Sequence, residues 1–134
     1  MINVLEAIRA KFLATPALVS AWTGGYHFGL ATEGTKMPYV VSNEVAAPTT
    51  MQFGGEAFSE DHIDFVFFTD RLTTMKNDIA LWLKTFDDLL IVTDGKCINF
   101  TRKTNVVSLP REKDEKGNQV YKHWVEYCYA VEPK

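Results

Sequence analysis

The sequence predicts an α+β domain, mainly an antiparallel β-sheet packed against two helices in the order α-β-β-α-β-β. Two observations carry that expectation. Residues 4–12 and 72–86 repeat apolar side chains at three- and four-residue steps, the period of a helix face. "HIDFVFF" and "VYKHWVEYCYAV" alternate instead, the period of a strand with two different faces. At 134 residues, with 46% apolar and 13% aromatic content, the chain fits one globular domain, 1-134, with a single core. No internal repeat or low-complexity tract divides it.

The first helix brings Val4, Leu5, Ile8 and Phe12 to one side, and Asn3 with Glu6 resembles a capping pair. Pro16 stops it, because helical geometry is disfavoured in the residue before proline. "PALVSAW" adds room for one further turn that packs Leu18 and Trp22. "TGGYHFGLATEGTK" reads as a loop with space for a short strand around Tyr26 to Phe28.

Pro38 has no N–H for a sheet, so it belongs at a strand's first residue or edge. Tyr39 to Val45 supplies the β-branched and aromatic residues of that strand. "AAPTTMQFGGEAF" then reads as a long connection or irregular hairpin tip. In "EDHIDFVFFTD" the alternation puts Ile63, Phe65 and Phe67 on one face and His62, Asp64, Val66 and Phe68 on the other. Thr69 or Asp70 caps the second helix, which runs to about Thr85. Its seam is Leu72, Met75, Ile79, Trp82 and Phe86, with Leu83 alongside.

The last third is β again. Asp94-Gly95 signals a turn, followed by a strand of about ten residues with Ile98, Phe100 and Val106 in register. "REKDEKGNQ" is a charged hairpin tip in which Gly117-Asn118 suits a positive φ. In the closing strand Tyr121, Val125, Tyr127 and Tyr129 share a face opposite Lys122, Trp124, Glu126 and Cys128.

Chemistry is sparse. A net charge of −3 gives no basic footprint for sequence-specific nucleic acid, and "TRKT" is too short to reverse that. No apolar run is long enough for a membrane span. Charges at Glu6, Arg9 and Lys11 argue against a signal peptide, so a soluble, cytoplasmic chain is the expectation. Cys97 and Cys128 lack a CxxC or CxxH partner and read as buried thiols, although a disulfide between adjacent strands stays open. His62 and Asp64 share a strand face, yet a metal site needs three or four converging ligands and no spaced partner follows. His123 alternates with aromatics as a sheet histidine, and His27 sits in the Gly-rich loop. There is no nucleophile elbow and no phosphate loop. Asp87-Asp88 reads as a solvated helix end. No catalytic residue, metal ligand or cofactor is expected.

Taken together, "VLEAIRAKFLATPALVSAW", the "PYVV" strand start, "HIDFVFFTD" running into "RLTTMKNDIALWLKTFDD", and a long β-region at the end resemble a known family. The chain is similar over nearly its whole length to the tail-completion and tail-terminator proteins of long-tailed phages and prophage-like elements. It departs from them in "REKDEKGNQ" and in the enlarged "APTTMQFGGEAF" segment. The resemblance implies a non-catalytic subunit, cytoplasmic during assembly and then part of a virion or phage-tail-like particle. It implies self-association into a ring, typically a hexamer, that ends the tail tube and meets the head connector. For such a ring, Trp22, Tyr26, Phe53 and Phe58 are the candidate interface anchors, because they lie in loop-like segments and aromatics dominate hot spots. The rival expectation is a small-molecule-binding or enzyme domain of cone-like shape, with His62, Asp64 and His123 converging in a pocket.

Overall fold

The computed structural model describes residues 4–31, 34–53, 56–93, 96–114 and 116–133, with the backbone alone over 45–53, 56–60, 93, 96, 132 and 133. Helix α1 (Val4–Leu13) buries Val4, Ile8 and Phe12 on one stripe. It ends where Thr15 Oγ1 donates to the Lys11 carbonyl at 2.7 Å. Pro16 then opens α2 (Pro16–Ala21), a position where its missing N–H costs nothing, and Leu18 turns inward. Asn3 lies outside the described residues, so its capping role is not seen.

Seven strands form one sheet among the described residues: β1 (Tyr26–Phe28), β2 (Tyr39–Phe53), β3 (Glu56–Thr69), β4 (Leu90–Thr93), β5 (Lys96–Arg102), β6 (Val107–Lys113) and β7 (Gln119–Pro133). Their spatial order is β1-β2-β3-β7-β5-β4, with β6 also on β7. All pairings are antiparallel except β1 with β2. The α+β class therefore holds, but the order does not: two helices precede three strands, and α3 (Leu72–Phe86) is followed by four. The glycine-rich segment supplies the extra strand β1. Gly24 is required at its entry, because a Cβ there would collide with the Lys36 carbonyl oxygen as the chain passes residues 36–38.

The second departure lies in the last third. The expected ten-residue strand is two strands, β5 and β6, laid end to end along one edge of β7. Between them the backbone leaves the ladder, and the gap is bridged. Lys103 N–H donates to the Glu126 carbonyl at 2.8 Å, and Thr104 Oγ1 accepts from Glu126 N–H at 3.0 Å. Val106 falls in this break rather than in register with Ile98 and Phe100. Asp94-Gly95 lies outside the described residues; Thr93 and Lys96 on either side stand opposite each other.

All three helices lie on one sheet face. Ile63, Phe65 and Phe67 of β3, each fully buried, meet Val125, Tyr127 and Tyr129 of β7, Ile98 and Phe100 of β5, and the helical seams. Trp82 sits at the middle. Its ring has the rings of Phe12, Trp22, Tyr26, Phe65, Phe67 and Phe86 around it, with centroids 4.7–6.4 Å away. Leu72, expected in the α3 seam, is 51% exposed, because the first turn of α3 overhangs the buried stripe. Arg71, not Thr69 or Asp70, takes the cap position, and Thr69 Oγ1 instead accepts the Arg71 N–H at 3.1 Å.

Candidate functional site

The face of the sheet turned away from the helices is where chemistry could be displayed. Tyr39 and Phe68 stack there at 4.7 Å between centroids. Across β3 and β7 the register sets His62 opposite Cys128 and Asp64 opposite Glu126. His62 Nδ1 lies 3.1 Å from Glu126 Oε1, without the alignment of a hydrogen bond, and Lys103 Nζ approaches Nε2 at 3.4 Å. Burial holds the Asp64 carboxyl above the usual range; the Trp124 hydrogen bond opposes this and the Glu126 charge adds to it.

His123 does not join them. It stands opposite Phe67, a residue of the helix-side face, so the sheet itself separates it from His62 and Asp64. Alternation along β7 forces this: positions 126 and 128 share a face that 123 cannot. The convergent pocket of the small-molecule reading is thereby overturned. Among the described residues no group of three or more His, Cys, Asp or Glu could hold a metal ion.

Among the described residues, concavities lie elsewhere. An open cleft of about 590 Å³ runs between residues 34–39 and the turn after β6, with Lys36, Asp70, Asp114 and Lys116 on its walls. A smaller one of about 110 Å³ lies where β6 and β7 meet the start of α3, and it includes His123.

The expected interface anchors divide. Trp22 and Tyr26 are 1% and 5% exposed and belong to the aromatic core. Tyr26 further shares a buried hydrogen bond with Ser42 Oγ, and burial pushes its phenol pKa up. Neither can anchor a partner without leaving the core, which corrects the expectation for both. Their glycine-rich neighbours gave them the look of loop residues; Trp22 closes α2 against Phe67 and Trp82, and the β1–β2 pairing sets Tyr26 against Phe12 of α1 and Trp82 of α3.

Phe53 and Phe58 lie in the far half of the β2–β3 hairpin. The expected loop over "AAPTTMQFGGEAF" is instead a continuation of both strands, from Thr49↔Glu60 to Phe53↔Glu56. Between Val45 and Thr49 the register slips, three residues of β2 standing against one of β3. Pro48, with no N–H to give, falls inside that slip. Phe58 pairs with Met51, and Phe53 is two residues along from Met51, so the three positions occupy one face of the ribbon.

The cysteines are half-buried thiols, neither of them in a disulfide. Cys97 stands opposite Glu132 and Cys128 opposite Thr101, a stagger of four residues, roughly 13 Å at about 3.3 Å per residue. That excludes a disulfide in this register. Sequence reasoning also missed Asp87. It is no idle helix end: its Oδ1 accepts from the Tyr127 hydroxyl at 2.6 Å, and its Oδ2 lies 3.5 Å from Arg102. Only the fold brings those residues together. No helix among the described residues is long and apolar enough to cross a membrane.

No family model matches the chain, and no curated protein does. Solved structures do share its fold. One is a chain of the virion of a native gene transfer agent particle, at TM-score 0.55 and 16% identity, covering 91% of this chain and 90% of that one. A second solved chain matches at TM-score 0.58 and 11% identity over 100% of this chain and 98% of its own. At these identities the likeness is one of fold, and it extends over nine-tenths or more of each chain.

Proposed function

We propose that the chain is a structural subunit of a phage-like virion or tail particle, and more specifically a tail terminator that closes into a ring, typically a hexamer, between tail tube and head connector. The observation that carries this reading is the fold likeness, over 91% of this chain and 90% of the other, to a chain of a gene transfer agent virion. The sequence resemblance points the same way independently.

The geometry supports an assembling subunit. Beyond Glu60, toward Glu56, β3 pairs only with β2 among the described residues, since its ladder with β7 ends at Glu60↔Ala130. A two-stranded ribbon is marginally stable by itself in water and gains stability from a third surface. A neighbouring copy is such a surface, and a head-to-tail contact that closes by rotation gives a ring. Phe53 and Phe58, at positions on one ribbon face with Met51, are the anchors retained for it. The rival small-molecule reading keeps a single support, the cleft of about 590 Å³, and predicts a monomer or compact dimer.

Native mass measurement from micromolar to millimolar concentration, with negative-stain imaging, tests the proposal. Rings of about six subunits are the expected result, alone or upon addition of tail tubes. A compact dimer that tails do not convert would overturn it.

A further inference from the structure

The small concavity at the junction of β6, β7 and α3 has a composition at odds with the acidic chain around it. Leu72, Ser108, Arg111, Tyr121, Lys122 and His123 line it, and none of its lining residues is acidic. The Arg111 guanidinium lies over the Tyr121 ring at 5.2 Å, which holds the charge in place over an aromatic face. Lys122 is already committed, its Nζ 2.7 Å from Glu112 Oε1. Arg111 is therefore the cation this concavity has to offer.

Ser108 and His123 supply the second part. Ser108 Oγ lies 3.1 Å from His123 Nδ1, across a directly opposed pair of β6 and β7. Burial lowers the His123 pKa, so the ring is neutral near pH 7. A neutral imidazole and a hydroxyl own two donor hydrogens and share one bond. If the serine O–H donates to Nδ1, the Nε2–H is left over. If Nδ1–H donates, the serine O–H is left over. Either tautomer leaves one donor with no acceptor in the pair. A guanidinium fork and an unspent donor at the rim of one small concavity match an acceptor-only, negatively charged group. A volume of about 110 Å³ corresponds to three or four waters at about 30 Å³ each.

We propose that Arg111, with the Ser108–His123 pair, forms a binding site for a single oxyanion, either a phosphate group or a carboxylate. The site goes beyond the structural role above and does not depend on ring formation, since every residue in it belongs to one chain.

The test is a ¹H–¹⁵N titration of the full chain with inorganic phosphate and, separately, with acetate at matched ionic strength. The amides of Ser108, Arg111 and His123 are expected to shift in a saturable way. Arg111→Ala should weaken the apparent affinity roughly tenfold, the effect of losing a charge-assisted hydrogen bond. Ser108→Ala should weaken it less, and Lys84→Ala, at the far end of α3, should leave it unchanged. Saturation by phosphate alone supports a phosphate ligand, saturation by acetate alone a carboxylate-bearing one, and saturation by both a site that takes either oxyanion. Linear shifts spread over the molecule, or saturation unaltered by Arg111→Ala in a variant whose spectrum shows it folded, would sink the proposal.

Discussion

The β2–β3 hairpin is one element held under two sets of conditions. In its near half, Tyr39 to Val45 against His62 to Phe68, β1 and β7 flank the pair and three helices cover one face. In its far half, Thr49 to Phe53 against Glu56 to Glu60, the two strands have mainly each other. The near half draws its stability from apolar area removed from water. For the far half, past the slip at Pro48, the described contacts are those of backbone pairing. A protein can afford such a ribbon when a partner completes it, and the contrast between the halves is what an assembly role predicts.

The contrast can be broken at its strongest point first. Trp82→Ala removes the ring at the centre of six aromatic neighbours, and the expected cost is about 3–5 kcal/mol in urea unfolding. A loss below about 1 kcal/mol would mean that the near half is not the stabilising unit. Alkaline titration is the next test. Burial pushes the phenols of Tyr26, Tyr127 and Tyr129 upward, that of Tyr129 to about 12, with further contributions from Glu44 and Asp61. A raised folded-state value favours the neutral phenol, so its stabilisation is complete below about pH 10, the unfolded-state value. Stability should fall as pH rises from there through 12. A flat profile across that window in chemical denaturation would show the three phenols to be less enclosed than the fold places them. The smallest effect on stability belongs to the ribbon. Phe53→Ser with Phe58→Ser should change unfolding free energy by no more than about 0.5 kcal/mol while abolishing rings in negative stain. Loss of stability with rings intact would reverse the roles of the two halves.

Much of the near half was legible from periodicity. Ile63, Phe65 and Phe67 alternate, Met75, Ile79, Trp82 and Phe86 step by three and four, and the structure buries all seven. Local pattern failed where a residue's environment is set by distant chain. The turn at Trp22 and the short strand from Tyr26 were legible, but not that both rings are core rather than interface: Trp22 is buried at the end of α2, and the parallel pairing of β1 with β2 draws Tyr26 in. Val106 continues an apolar pattern but falls in the break between β5 and β6. Of the candidate polar groups, His62 and Asp64 are on one face as alternation requires. His123 is excluded from that face by the register of β3 with β7, a relation between positions about sixty residues apart. The Ser108–His123 contact has the same origin, since nothing in the sequence of either strand names the other.

The sequence by itself determined the α+β class, the helix seams, the inward face of β3 and the lack of any recognisable catalytic motif. These follow from side-chain spacing along one element, and spacing is a local property. Tertiary structure alone decided which aromatics became core, where Asp87 finds Tyr127 and Arg102, how far apart the cysteines stand, and that Arg111 shares a concavity with Ser108 and His123. Each of these depends on strand order and register, which are fixed by burying one sheet face beneath three helices.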